Sequence, residues 1–184
     1  MSNTARDNDA ARDDDAARDD DAEREVAARE REIERLRAQL PATLINAMED
    51  STPNNIKIEG NHIPLDEAKD CAIVLIALYY NLQMLRHSIY ESWHDAKLEM
   101  AEVRRRAGLP FTRSGYTPDW EIEQDVGTTE GIRAMSEEKA RMRAIELAKK
   151  VVMIDQDIRE DVLKLKRYEE EIEELENSLV ENEE

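Results

Sequence analysis

At 184 residues the chain is one domain or two, and 38% of it is Asp, Glu, Lys or Arg while only 4% is aromatic, a balance too polar for a compact enzyme of that size. Its 44 acidic side chains against 26 basic ones leave a net charge of −18, which disfavours direct binding to nucleic acid or anionic lipid, since both need cations to neutralise phosphate. Five Gly and five Pro are few for a fold with many tight turns, and the single Cys excludes an internal disulfide framework or a Cys-rich zinc site; long helices remain.

Residues 1–22 carry 3 Arg and 8 Asp in three six-residue repeats, Ala5–Ala10, Ala11–Ala16 and Ala17–Ala22. On a helix of about 3.6 residues per turn, six steps rotate each repeat by roughly 240°, so no face is kept, and Asp competes for nearby backbone groups in a helix interior. The stretch reads as a disordered acidic arm. At the other end, residues 169–184 hold 9 Glu and no base. No apolar run follows the first residues as a secretory signal would need, and the Asp content opposes a transit peptide. The most apolar stretch, Cys71–Tyr80, is half of the roughly 20 residues that span a bilayer. An intracellular soluble protein, nuclear or cytoplasmic and without a membrane span, is the expectation.

From 23 to 50 the pattern is helical, with Val26, Ile33, Leu36 and Leu40 on one stripe, a break at Pro41, and a short amphipathic turn at Leu44, Ile45 and Met48. Residues 51–65 read as a loop that opens on the breaker cluster Asp50–Asn55 and then, from Ile56 to Leu65, carries apolar residues alternating on either side of Gly60-Asn61, the pattern of a small β-hairpin whose second strand Pro64 confines to an edge. From 66 to 108 no Gly or Pro intervenes until Gly108, so Glu67–Ala107 reads as one helix, apolar on every face at Cys71–Tyr80 and narrowing to a stripe beyond. Arg104, Arg105 and Arg106 sit in its last turn, where cations complement the helix dipole and Gly108 suits C′; a docking patch for an acidic partner is the other reading of this triplet. Residues 109–128, with Phe111, Tyr116 and Trp120, are long for a passive linker.

Residues 129–184 carry the clearest signal. Ala144, Val151, Ile158, Leu165, Ile172 and Leu179 fall at heptad a, and Leu147, Ile154, Asp161, Tyr168 and Leu175 at d, a sustained coiled-coil seam with one polar misfit, Asp161. The fold class is therefore all-α, with the two long helices expected as an antiparallel hairpin across the linker.

Chemistry is sparse. His87, Glu91 and His94 share one helical face, but a di-iron bundle site needs a second Glu-x-x-His helix and two more glutamates. Cys71 lies inside the apolar stretch, where a thiol behaves as a small hydrophobe, and neither a Gly-rich phosphate loop nor a glycine-flanked Ser nucleophile occurs. No enzyme, cofactor or metal is expected. The apolar surface of Cys71–Leu85 exceeds what two helices hide, which points to a non-enzymatic coiled-coil subunit that assembles a larger complex of kinetochore, tether or transcription type. Its partners would be other helical subunits, a hetero-complex rather than a homo-oligomer. The expected contacts are Leu75, Leu78, Leu82, Leu85, Ile89 and Trp93 on the first long helix, and Val151, Ile154, Ile158, Leu165, Tyr168, Ile172, Leu175 and Leu179 on the second. The alternatives are a viral capsid scaffolding protein and an acidic chaperone for a basic protein such as a histone.

Overall fold

The computed structural model describes residues 22–110 and 122–181. The Asp repeats up to residue 21, together with Phe111, Tyr116 and Trp120 of the linker, lie outside them. Helix α1 occupies residues 22–37 and is followed by α2, Ala42–Glu49, with Pro41 at the break between them, where its fixed φ suits the start of a helix. Two 3₁₀ turns, Gly60–His62 and Leu65–Glu67, lead into α3, Ala68–Arg106. Helix α4, Thr129–Arg133, precedes α5, Glu137–Glu181. At 1.5 Å per residue α3 is about 58 Å long and α5 about 67 Å.

The all-α class and the packing of two long helices agree with the heptad patterns, but the helices run parallel, not as an antiparallel hairpin. Their cross-links advance together along both sequences. Lys69 faces Glu137 at 3.5 Å, Arg86 faces Asp157 at 2.5 Å, Arg104 Nε donates to Glu171 at 3.0 Å, and Arg106 faces Glu176 at 2.8 Å. A heptad seam can be satisfied in either direction; the charges at the ends decide. Only a parallel pair brings the arginines that close α3 beside the glutamates that close α5.

This arrangement requires the chain to return along α3. Pro110 accepts from Arg104 Nη1 at 3.1 Å, whereas the Glu123 N–H donates to Gln83 Oε1 at 2.6 Å, about 32 Å back along the helix axis.

The small β-hairpin expected at 51–65 is not formed. Among the described residues there is no strand, and pairing is limited to an isolated bridge between Thr52 and Asn55. A two-residue type I′ turn needs positive φ at both centres, and only Gly108 and Gly127 of the described residues have it. Gly60-Asn61 instead enters a 3₁₀ turn in which the Glu59 N–H donates to His62 Nδ1 at 3.0 Å. Ile58 and Ile63 both turn inward and are buried.

Helix α3 ends in a Schellman motif. The Leu109 N–H donates to the Arg104 carbonyl at 2.9 Å and the Gly108 N–H to the Arg105 carbonyl at 3.2 Å, with Gly108 at φ +67°, a conformation that glycine adopts without a Cβ penalty. The segment expected as one C-terminal helix is divided: the Thr128 side chain caps α4 by accepting from the Gly131 N–H at 3.1 Å, and Ser136 Oγ accepts from the Lys139 N–H at 3.3 Å at the head of α5.

The main core joins α1, α2, the 3₁₀ region, the N-terminal half of α3, Ile132 of α4 and the first half of α5, from Ile33 to Ile154 in sequence. A second, smaller cluster of Ala96, Met100, Val103 and Ile172 lies farther along the α3–α5 pair. The molecule is thus a helical body at one end, here called proximal, continued into a distal stalk.

Candidate partner interface

The residues expected to meet a partner are packed within the chain. Leu75 and Leu78 are 0% exposed; Leu82, Leu85, Val151 and Ile154 are buried in the same core, against which Ile89 and Ile158 pack. Ile172 is buried in the distal cluster, lined by Leu165, Tyr168, Leu175 and Leu179. Trp93 meets Tyr168 edge-on with ring centroids 6.1 Å apart. The covering that Cys71–Leu85 requires comes from α1, α2, Val126 and α5, so a partner reaches these side chains only if the pair opens.

Asp161, the misfit of the heptad pattern, is answered across the seam. Arg86 Nε donates to Asp161 at 2.8 Å and its Nη1 to Asp157 at 2.5 Å, while Lys164 reaches Asp161 at 3.2 Å. The Arg86 and Asp161 side chains are only 22% and 19% exposed. This polar layer lies between the two apolar clusters, and beside it Tyr90 Oη and Trp93 Nε1 are shielded without a hydrogen-bond partner. Arg86→Leu should cost about 1–3 kcal/mol by leaving Asp161 without its guanidinium, whereas the double change Arg86→Leu/Asp161→Leu should recover most of that loss, because the seam position accepts an apolar side chain. Urea unfolding of the double-mutant cycle, with Asp161→Leu as the second single variant, measures the coupling; a double-variant loss equal to the sum of the two single losses would exclude it.

The end of the linker is clamped by polar contacts. Tyr79 donates to Glu123 Oε2 at 3.0 Å, Lys150 donates to Oε1 of the same carboxylate, and Arg143 Nη2 donates to the Val126 carbonyl at 2.8 Å. Gly127, at φ +104°, lies where an added Cβ would come within 3.6 Å of Ile76. The Lys150 hydrogen bond holds the Glu123 carboxyl below its ordinary value, and burial, helped by Glu123, pushes the Tyr79 phenol up to about 12.

The signs follow from which state holds its protons more tightly. Glu123 contributes stability above its unfolded pKa, and the contribution is lost as pH falls through the lower folded value. Tyr79 contributes fully below its ordinary value of 10, and the contribution is lost as pH rises toward about 12. Absorbance titration at alkaline pH should therefore show one of the five tyrosines ionising late in the folded chain. Five coincident ionisations near the ordinary value would refute the clamp.

Of the reactive groups, Cys71 is buried and its thiol is pushed up to about 11 by burial, with Glu67 and Asp70 adding to the shift. His87 Nε2 lies 3.5 Å from Glu91, and among the described residues no group of three or more His, Cys, Asp or Glu is placed to hold a metal ion. None of the described helices is long and apolar enough to cross a membrane.

The outward surface carries features that the sequence reading missed. A cavity of about 220 Å³ opens between the end of α1, α2 and α5, walled by Leu40, Ile45, Met48 and Val152. At its mouth Arg37 makes both oxygens of Asp155 its acceptors, at 2.7 and 2.5 Å; burial nevertheless pushes the Asp155 carboxyl up. Beyond the cavity along α5, Val162 and Leu163 are exposed. The signal for them was present as Val152 and Val162 falling outside the a and d positions, but their roles differ: Val152 is buried against α2 and Val162 is left open. Comparison with protein-family models, with curated proteins and with solved structures finds no match to this chain.

Proposed function

We propose that the chain is a non-enzymatic structural subunit of a larger multiprotein complex, a stiff helical spacer that associates with other helical proteins. The observation that carries this reading is the parallel α3–α5 pair, seamed within one chain over most of its length and thickened at the proximal end by α1, α2 and α4. A catalytic fold concentrates perturbed titratable groups in a cleft; here Glu123, Arg86 and Asp161 cross-link helices, and Cys71 is sequestered. A hetero-complex is favoured over self-association because the heptad seam that would pair two copies is engaged internally. Glu171 and Glu176 are paired with Arg104 and Arg106 of the same chain, which leaves an acidic chaperone of a basic protein with less support.

The test is the light-scattering mass of the purified chain together with cross-linking mass spectrometry in cells that express it. A monomer alone, with defined cross-links to a helical protein in the cell, supports the reading. A monomer with no reproducible cross-linked partner ends it, and a defined homo-oligomer transfers support to a capsid-type scaffold.

A further inference from the structure

We infer that the cavity between α2 and α5, continued by the exposed strip of α5 from Arg159 to Arg167, is a docking site for an acidic amphipathic helix of a partner protein. This rests on the helical-subunit reading and names the partner's chemistry.

The cavity is smaller than the roughly 300–1,000 Å³ of small-molecule sites and is the size of a receptor for one apolar side chain. Arg159 lines its mouth, and Arg159, Leu163 and Lys166 follow at i, i+4 and i+7, one face of α5. Val162 and Leu163 on this strip are exposed by 44% and 55%. An apolar socket followed one turn beyond Arg159 by exposed Leu163 is a surface that a helix covers with apolar residues at heptad spacing.

Charge selects the occupant. In a chain of net charge −18, residues 159–167 carry Arg159, Lys164, Lys166 and Arg167 against Glu160 and Asp161, and Asp161 is already held by Arg86. Lys166 and Arg167 are exposed and make no salt bridge with another described residue. Lys164 is paired with Asp161, so a basic helix would meet the like charges of Arg159, Lys166 and Arg167 here, whereas flanking carboxylates of an acidic one find cations on both sides of Leu163. Residues 1–21 share the sign but offer only Met1 as a large apolar side chain, too little for the socket and strip together. An anionic membrane is disfavoured because its flat surface cannot enter the socket walled by α1, α2 and α5.

The experiment titrates the full chain with three labelled three-heptad helical peptides that share an apolar a/d seam and carry Glu, Gln or Lys at the flanking positions, read by fluorescence anisotropy. The Glu-flanked peptide should bind at least about tenfold more tightly than the Lys-flanked one. The triple variant Arg159→Glu/Lys166→Glu/Arg167→Glu should invert that order, and Ala38→Trp, which places a bulky ring from the exposed cavity rim into the socket, should weaken the Glu-flanked peptide about tenfold or more. Circular dichroism of both variants should match the parent, since every substituted side chain lies on the surface or its rim.

Absence of a charge preference, or a preference that neither variant alters, overturns the site. Binding to phosphatidylserine-containing vesicles that the triple variant abolishes assigns the strip to lipid and overturns it as well. A tenfold gain in peptide affinity on removing residues 1–21 gives the strip to the chain's own arm, with the same consequence. The two readings fail separately: peptide binding that ignores the variants removes this site but not the helical-subunit reading, and variant-sensitive binding by a chain without cellular cross-links removes the assembly role but not the site.

Discussion

Deleting Thr112–Tyr116 from the connection should prevent α5 from keeping its register on α3. Between Pro110 and Glu123 the chain has thirteen steps, at most about 45 Å when extended, to cover an axial distance of about 32 Å. Five fewer residues leave about 28 Å of reach. The clamp around Glu123 must then detach, or α5 must slide. Detachment exposes Val126, which is buried in the main core, and breaks its contacts with Gln83 and Arg143, a loss of about 2–4 kcal/mol. Thermal unfolding followed by circular dichroism should show a midpoint lower by several degrees. Inserting five Gly/Ser residues at the same place should cost only about 0.3 kcal/mol in closure entropy. An antiparallel pair would tolerate both changes, because its connection would only have to cross from one helix end to the adjacent one; equal midpoints for deletion and insertion would therefore refute the parallel fold.

Leu78→Ala should destabilise the isolated chain by about 3–5 kcal/mol, and Leu75→Ala similarly. Both side chains are completely buried at a level where α3 is covered by α5 and the body around it, so truncation removes transfer energy and leaves a cavity that rigid neighbours cannot close. Leu163→Ala, at an exposed position, should stay within about 0.5 kcal/mol. Denaturant unfolding of the purified chain separates the cases. Were Leu75 and Leu78 reserved for a partner, their truncation would leave the isolated chain unchanged and weaken only the complex; a Leu78→Ala chain as stable as the parent would show that.

Helix periodicity was legible because it depends on local spacing: α2, α3 and the a and d positions of α5 follow from apolar residues recurring at three and four. The direction of pairing was not, because Leu82 or Val151 packs as well in either sense. Two signals bore on it. Arg104–Arg106 and Glu169–Glu176 are complementary only when the two C-terminal ends meet, and a linker too long to be a passive turn has the length of a return path. Taking the arginines as dipole partners alone concealed the first: they close α3, and Arg104 and Arg106 also bind α5. The hairpin at 56–65 failed because alternation describes Ile58 and Ile63 equally well when a 3₁₀ turn sends both into a core. Asp161 was correctly singled out as a polar seam residue, but its partner lies 75 positions upstream, beyond any local pattern. The cavity likewise depends on how α2 settles on Val152 and Asp155, a tertiary fact.

The parallel direction also determines how the molecule bears load. A hairpin holds its two outer ends side by side, and a pull on them opens the contacts one layer at a time, like a zip. Here Ala68 stands at the proximal end and Glu181 at the distal end, so tension between them drives α5 lengthwise past α3. Every layer from Leu75 to Val103, the Arg86 cross-link included, then shares the force at once in shear. A body fastened at the proximal end and another fastened to the tail of α5 would be held by the whole seam, and the resistance would fall only when all its layers slip together.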